Sequence, residues 1–267
     1  MRILSLNCWG GALYERLLTY LAEVDADVVC LQEVSRSPRG TPDWLDYEHD
    51  GVILPQRANL FDALKASLPD HDAFFFPFAR GLLPAGSGMH WQSFGLATFV
   101  RSSLAITGQT LDFVHEAYSP NAFGPHPRAR NVHGVRVFDH ESQKSLAILQ
   151  LHGLREISGK GDTAARAGQS KRLVEIIRAF QKPNEAVVLC GDLNLLPDSQ
   201  TFDDLKALGL EDLVTKLGFT DTRTSHYAKS GRYADYLLVN PHVEWTAFDV
   251  VAQPEVSDHR PLLLTLP

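Results

Sequence analysis

Six stretches of this chain place residues able to bind a hard cation or a phosphate at the end of, or just inside, short apolar runs. They are Leu4-Ser5-Leu6-Asn7, Val29-Cys30-Leu31-Gln32-Glu33, Ile148-Leu149-Gln150-Leu151-His152, Val188-Leu189-Cys190-Gly191-Asp192-Leu193-Asn194, Tyr233-Ala234-Asp235-Tyr236 and Ser257-Asp258-His259-Arg260-Pro261. Carboxylates, amides and imidazoles beside buried strands carry a desolvation cost unless each finds a partner, and one shared metal centre would supply several partners together. Singly the signals are weak. A strand-terminal Glu33 is ordinarily a solvated or salt-bridged charge. Asn7 alone is ordinarily a turn former or a helix cap, and His152 alone divides evenly between a satisfied interior histidine and a functional one. Gly191-Asp192-Leu193-Asn194 says more, because Gly permits a tight backbone while Asp and Asn two apart on extended chain face the same side. Ser257-Asp258-His259 says more again, against the plainer reading of a turn that uses Asp.

In this order, Asn7, Gln32-Glu33, His152, Gly191-Asp192-Leu193-Asn194, Asp235-Tyr236 and Ser257-Asp258-His259 resemble the successive motifs of the endonuclease/exonuclease/phosphatase superfamily, typified by pancreatic deoxyribonuclease. The resemblance runs from residue 1 to residue 267. It implies a four-layer α/β/β/α sandwich with a metal-dependent phosphoesterase site among the loop ends of two sheets. Hydrolysis of a phosphate ester needs a nucleophilic water, a route for its proton, stabilisation of charge on the equatorial oxygens and help for the departing oxygen. Glu33 offers a hard anionic oxygen and Asn7 a neutral one, a set that suits Mg²⁺, with Mn²⁺ as a substitute, better than zinc. Asp258 is expected to complete this site or to hold a second ion. By analogy with the family, Asp192 orients or deprotonates the attacking water, and Asn194 fixes that water or a phosphate oxygen. His152 and His259 are expected to donate to the phosphoryl group as charge accumulates. Asp235 resembles the family carboxylate that holds the far nitrogen of a protonated His259; its plainer reading is a strand cap.

The substrate is less legible. Leu6-Asn7-Cys8-Trp9-Gly10 and Leu189-Cys190-Gly191-Asp192-Leu193-Asn194 are similar to neutral sphingomyelinases as well as to nucleases of the superfamily. Trp9-Gly10 departs from the abasic-site endonucleases, and Leu195-Leu196-Pro197 with Tyr233-Ala234-Asp235-Tyr236 departs from the inositol polyphosphate phosphatases. Residues 153–162 contain Arg155 and Lys160 among glycines and are candidates to close over a phosphate, against an ordinary surface loop. Arg166 and Gln169 stand equally as site-facing and as supporting residues. Arg128, Arg130 and Asn131 carry less weight as phosphate contacts. Residues 74–91, rich in phenylalanine, read as strand core rather than as an apolar rim for a lipid or a base. The expected activity is therefore Mg²⁺-dependent hydrolysis of a phosphodiester or phosphomonoester. A nuclease acting on DNA or RNA, a sphingomyelinase-like lipid phosphodiesterase and a non-catalytic module that binds a phosphorylated ligand stay open. Against the last stands the cost of keeping several repelling carboxylates together without a cation.

Elements able to position these residues follow from the apolar pattern. Runs at 2–7, 27–32, 73–78, 95–100, 132–138, 146–151, 186–190, 236–239 and 262–266 read as strands. Leu13, Leu17, Tyr20, Leu21 and Val24 fall at helical spacing, as do Leu173, Ile176, Ile177 and Phe180, with Asp162 as the expected N-cap of the second helix. Shorter helices are expected near 59–68 and 200–208. Strand-helix-strand at the start suggests a parallel crossover, and the middle reads as consecutive antiparallel strands. The result is again an α/β sandwich of two mixed sheets, expected to form one domain over 1–267.

Composition sets the outer limits. The chain has 267 residues, 44% hydrophobic and 21% charged, which fits a globular fold and excludes disorder. Its 25 basic and 32 acidic side chains give a net charge of −7, so nucleic acid is an expected partner only where basic residues gather or a metal offsets the charge. The three cysteines, Cys8, Cys30 and Cys190, lie beside apolar runs and read as buried free thiols. No apolar stretch reaches transmembrane length, and the start reaches Asn7 too soon for a signal peptide, so a cytoplasmic location is expected. Oligomeric state is not legible.

Overall fold

The first strand alternates Ile3, Ser5 and Asn7 with Leu4, Leu6 and Cys8, the period of extended chain buried on both faces. Leu4 and Leu6 join Leu17, Tyr20 and Leu21 in a cluster on one side, while Ile3 joins a different core on the other. The computed structural model describes residues 1–49 and 51–267. In chain order the elements are β1 (Arg2–Asn7), α1 (Tyr14–Val24), β2 (Val28–Arg36), β3 (Trp44–His49), β4 (Val52–Arg57), α2 (Leu60–Ser67), β5 (His71–Ala85), β6 (Gly88–Arg101), β7 (Ala105–His115) and β8 (Arg130–Asp139). There follow β9 (Lys144–His152), α3 (Ala164–Phe180), β10 (Ala186–Asp192), α4 (Gln200–Lys206), β11 (Glu211–Asp212), α5 (Leu213–Lys216), β12 (Asp235–Val239), β13 (Ala247–Val250) and β14 (Leu262–Thr265).

Two six-stranded sheets result, ordered β13-β14-β1-β2-β6-β5 and β11-β12-β10-β9-β8-β7, with β3-β4 as a separate hairpin. Each large sheet has one parallel pair at its centre, β1 with β2 and β9 with β10. The other neighbours in both sheets are antiparallel, so both sheets are mixed. The sandwich is the expected α/β class. Helices α1 and α2 cover the first sheet through Leu17, Leu21, Leu60, Phe61 and Leu64. Helix α3 covers the second, where Phe180 and Leu149 crowd the same face at Gly134. Between the sheets Ile3, Val28 and Cys30 meet Ile148, Val188 and Cys190. All three cysteines are buried free thiols.

A polar seam also crosses this core. Gln32 Nε2 donates to Gln150 Oε1 at 2.8 Å, and Gln150 Nε2 donates to Thr98 Oγ1 at 2.7 Å and Ala97 O at 2.8 Å. Thr98 Oγ1 lies 2.7 Å from His133 Nδ1, and burial pushes that imidazole down to about 3. The seam ties the sheets together beside their polar ends, from Gln32 in register with Asn7 to Gln150 two residues before His152.

The structure differs from the sequence expectation in two respects. Strands β3, β4, β7, β11 and β13 are additional; β7 alternates polar residues such as Thr107 and Gln109 on an edge, which masks its apolar period. The N-cap of α3 is Thr163, whose Oγ1 accepts from Arg166 N at 3.2 Å, and not Asp162. The Asp162 carboxylate is committed instead to Ser199 Oγ at 2.6 Å and Gln200 N at 2.9 Å, where it anchors the start of α4. Phe74 and Phe75 are partly buried against core clusters, Phe74 on the inter-sheet core and Phe75 against Phe61 of α2 at 5.3 Å between ring centroids, whereas buried Phe78 forms part of the cleft wall.

Gly191 adopts φ +136°, and a Cβ there would stand 2.0 Å from Leu151 O on the neighbouring strand. Gly191→Ala is expected to cost about 3 kcal/mol or more, read as a lowered urea midpoint, because neither backbone can yield without moving β9 off β10. Away from the polar end, Arg136 pairs with Glu185 through Nε to Oε1 at 2.5 Å and Nη2 to Oε2 at 3.0 Å, both side chains under 10% exposed. Arg136→Met is expected to cost about 3–5 kcal/mol by stranding the carboxylate, and the double variant Arg136→Met/Glu185→Leu to recover most of that loss in the same unfolding assay.

Candidate active site

Strand register gathers the polar residues. In the second sheet Asp192 on β10 pairs with His152 on β9 and with Asp235 on β12, so three functional side chains occupy one row. In the first sheet Asn7 on β1 pairs with Gln32 on β2. Pairing of β2 with β6 slips between Leu31 and Val34, and within this bulge Glu33 takes φ +57°. A bulge re-aims one side chain out of the strand's alternation. Here it brings the Glu33 carboxylate to 3.9 Å from His152 Nε2.

The remaining distances close the cluster across both sheets. Asn7 Nδ2 donates to Asp192 Oδ2 at 2.9 Å, and Asn194 N donates to Asp192 Oδ1 at 3.0 Å. His152 Nε2 and His259 Nε2 stand 3.6 and 3.7 Å from Asp192 Oδ2. His259 Nδ1 donates to Asp235 at 2.8–2.9 Å, and Asp258 Oδ1 lies 3.6 Å from His259 Nε2. Asp192, Asp235 and His259 are each 3% exposed or less. Ser257 Oγ donates to Asn7 O at 2.6 Å and receives His259 N at 3.2 Å, which fastens the last motif to the end of β1. Asn7, Glu33, His152, Asp192, Asn194, Asp235, Asp258 and His259 therefore converge.

Arg155 and Lys160 both line the same cleft, in different states. Arg155 is exposed. Lys160 Nζ donates to Gly231 O at 2.8 Å, bonds Tyr233 O and lies over the Tyr227 ring, so it fastens the loop after 224 across the cleft. Burial pushes its ammonium down to about 8. Arg166 and Gln169 are supports: Arg166 donates to Gly159 O at 2.9 Å and pairs with Glu156 at 3.2 Å, while Gln169 Oε1 accepts from Leu154 N at 2.9 Å. Both brace residues 153–162.

Two residues escaped the sequence reading. Arg223 Nη1 donates to Asp258 Oδ2 at 2.8 Å and touches His259 Nε2, with its guanidinium 4.3 Å from the Tyr227 ring centroid. Thr222 Oγ1 receives the backbone N–H of Ala234 and Asp235 at 3.0 and 3.2 Å. Both lie in irregular chain before β12, where no apolar run marks them; the Asp221-Thr222-Arg223-Thr224 run was the one visible cue.

Electrostatics show what the cluster lacks. Desolvation, then repulsion from Asp258, pushes Glu33 up to about 7, against the hydrogen bond from Asn7. Desolvation pushes Asp235 up to about 7, opposed by Arg223 and Thr222. Desolvation and Arg223 push His259 down to about 4, and desolvation with Arg130 pushes His152 well down. Asp258 Oδ1 and His152 Nδ1 are buried without a hydrogen-bond partner. Glu33, Asp258 and the Asn7 amide form a hard-oxygen set whose mutual repulsion a dication would remove, so the residues present fit a divalent metal. Ligand atoms of Asp192, Asp235 and His259 also fall within 4.8 Å of one another. That grouping is better read as a histidine-carboxylate pair beside Asp192, because Asp235 already receives His259 Nδ1.

The cleft above this cluster has a volume of about 810 Å³ and includes Trp9, Phe78, Phe123, Arg130 and Tyr227 in its walls. No described helix is long and apolar enough to cross a membrane. A profile of the Endonuclease/Exonuclease/phosphatase family matches residues 4–259. A comparison with curated protein sequences gives no match. Among solved structures the chain is similar to a mannosyl-6-phosphatase of Bacteroides thetaiotaomicron VPI-5482, with 16% identity, TM-score 0.70 and coverage of 100% of this chain and 99% of that one. It is also similar to the human Nocturnin catalytic domain with bound sulfate, with 15% identity, TM-score 0.64 and coverage of 99% and 93%. Humanized D. rerio TDP2 gives 16% identity, TM-score 0.65 and coverage of 99% and 97%. With the profile running through every element that carries the cluster, the chain belongs to the Endonuclease/Exonuclease/phosphatase family of metal-dependent phosphoesterases and nucleases.

Proposed function

We propose that the chain is a Mg²⁺-dependent hydrolase that cleaves a phosphate ester by in-line attack of water. The observation that supports this reading most is the row Asp235-Asp192-His152 in one sheet, met by Asn7 and the bulged Glu33 from the other. Glu33, Asp258 and Asn7 would hold the metal, for which Mn²⁺ is the expected substitute. When bound, that ion supplies charge to the phosphoryl oxygens. Asp192 is fixed by Asn7 and Asn194, and orients the attacking water and takes its proton. His152 and His259 flank Asp192 at nearly equal distance, placed to contact the phosphoryl oxygens from two sides. Asp235 positions His259 and sets which ring nitrogen carries the proton. Arg155 is an open cation for the substrate, and Lys160 shapes the wall beside it.

A small phosphorylated substrate is favoured over a polynucleotide or a lipid. The cleft has the volume of a small-molecule site, and the solved mannosyl-6-phosphatase has a TM-score of 0.70 to this chain over 99% of its own length. A net charge of −7 opposes a long polyanion. Three buried free thiols accord with a reducing, cytoplasmic setting.

Purified protein assayed on sugar phosphates, nucleotides, oligonucleotides and phospholipids is expected to release phosphate from a small ester with Mg²⁺ or Mn²⁺, and to lose this activity after chelation. Asp192→Asn and Glu33→Gln are each expected to lower kcat by about 10²–10⁴-fold with an unchanged circular dichroism spectrum. Full turnover in chelator would overturn the metal assignment. Phosphate-ester binding without any hydrolysis would make the cleft a non-catalytic binding module.

A further inference from the structure

Seven described residues other than glycine hold a positive φ, and three of them, Trp9 (φ +51°), Glu33 (φ +57°) and Asn194 (φ +54°), line the cleft. Left-handed backbone in a residue with a side chain is strain, and strain of this kind gathers at functional sites. At the six positions other than Trp9 the side chain is a carboxylate or an amide. For a side chain as bulky as an indole the conformation is a true outlier.

The turn has a use for its backbone. Trp9 N donates to Asn7 Oδ1 at 3.0 Å, which leaves Asn7 Nδ2 to Asp192. Strand β4 closes over the next residue, where a Cβ on Gly10 would stand 2.9 Å from Gln56 Cγ. A glycine at position 9 would offer the same N–H without strain, so this backbone duty does not account for an indole there. Core packing does not account for it either. Trp9 joins none of the four apolar clusters formed by the described residues. The other three tryptophans have structural partners: Trp245 packs against the inter-sheet core, Trp44 lies against Tyr14 and Arg57, and Trp91 lies under Arg80.

What the indole meets is the cleft. Trp9 is partly buried in its wall, two residues from Asn7, and its ring contact among the described residues is with His226, centroids 5.8 Å apart and planes tilted by 46°. His226 is anchored in turn, with Nε2 3.6 Å from Glu255 Oε2, while Glu255 accepts from Ser225 N and Oγ at 2.8 and 2.6 Å. Rings tilted in this way do not cover each other's faces. A flat ring laid on the indole would meet His226 in one of the offset or edge-on arrangements that aromatic groups favour.

We propose that Trp9 is a specificity-determining residue, and that the alcohol part of the substrate carries a planar aromatic or heteroaromatic ring that stacks on its indole while the phosphate lies at Asp192. This deepens, and rests on, the reading of the cleft as a phosphoesterase site. The clamped turn holds the indole in place before the ester arrives, which lowers the ordering cost of binding. One ring on a small ester, rather than successive bases of a polynucleotide, is the occupant that a cleft of about 810 Å³ in a chain of net charge −7 favours.

Calorimetry on the Asp192→Asn protein with Mg²⁺ would compare ethyl, 2-phenylethyl and 2-cyclohexylethyl phosphate, with adenosine 5′-monophosphate and glucose 6-phosphate as heteroaromatic and sugar arms. The tighter of the two aromatic esters is expected to bind about ten- to a hundredfold more strongly than ethyl phosphate, and about fivefold more strongly than the cyclohexyl ester. Which of the two is tighter tells a site for a nucleobase from a site for a simple arene. Adding Trp9→Gly should bring the aromatic-to-cyclohexyl ratio to within about twofold, and Trp9→Phe should keep most of it. Trp9→Gly is also expected not to lower the urea midpoint, because it relieves the turn. A saturated ring that binds as tightly as the better aromatic ester, tightest binding of glucose 6-phosphate, or a ratio that survives Trp9→Gly would overturn the stacking subsite. So would a large fall in the midpoint of Trp9→Gly, or its failure to fold, since the indole would then be structural. Tighter binding of a single-stranded oligonucleotide than of any single ester, with steep salt dependence, would overturn the small-molecule assignment. Failure of the wild-type protein to hydrolyse any phosphate ester would instead count against the phosphoesterase reading and leave the binding ratios to judge the subsite.

Discussion

Four carboxylates, Glu33, Asp192, Asp235 and Asp258, are gathered within a few ångströms of two imidazoles at one end of the sandwich, three of the four side chains less than 15% exposed. Removing even one such charge from water costs several kcal/mol unless a partner answers it. Arg223 answers Asp258 and reduces the penalty on Asp235, and the Asn7 amide answers Asp192. Glu33 and Asp258 still repel, as the upward shift of Glu33 records. A protein that needed only stability would replace this set with apolar residues of similar volume. The arrangement is intelligible as a site whose missing positive charge arrives with its ligands.

Backbone constraints make that repulsion tolerable by removing alternatives. Asp192 and His152 end adjacent parallel strands, so neither side chain can retreat without breaking register. Gly191 lets β10 approach Leu151 O closely enough to hold that register, and Ser257 locks the last motif to the end of β1. Beneath them the Gln32-Gln150-Thr98-His133 seam sets the spacing between the sheets at the level where the two halves of the site must meet. An apolar interface alone would leave that spacing less defined, because hydrophobic contact is not directional.

This division explains what the sequence could and could not reveal. Strand β1 was legible to the residue because its two buried faces alternate without a break until Asn7, and the polar residues ending β9 and β10 stand out against their apolar runs. Glu33 was legible as a residue type, but its aim depends on a bulge set by pairing with β6, more than sixty positions away in the chain. Arg223 and Thr222 act through partners at 258, 259, 234 and 235 from chain with no regular period, so only the folded path brings them to the site. Asp162 looked like the cap of α3 because it precedes an apolar helical face. Tertiary contact with Ser199 and Gln200 outweighed that local preference and left the cap to Thr163.

The two ends of the sandwich show why chemistry belongs to one of them. At the end where β9 and β10 begin, a cavity of about 450 Å³ is lined by Met1, Lys144, Glu185 and Leu266. Two of its charged groups are paired there, Lys144 with Glu244 at 2.5 Å and Glu185 with Arg136. At the end where the same strands finish, Asp258 Oδ1 and His152 Nδ1 are buried without a hydrogen-bond partner, and among the described residues Arg128, Arg130 and Arg155 form no salt bridge. Parallel strands flanked by helices open their connecting loops at their carboxyl ends, which is where ligands enter α/β folds. Groups of both signs therefore meet in one cleft, Arg223 beside Asp258 and Arg130 facing Glu33, with Asp258 Oδ1 and His152 Nδ1 left to be answered by what enters it.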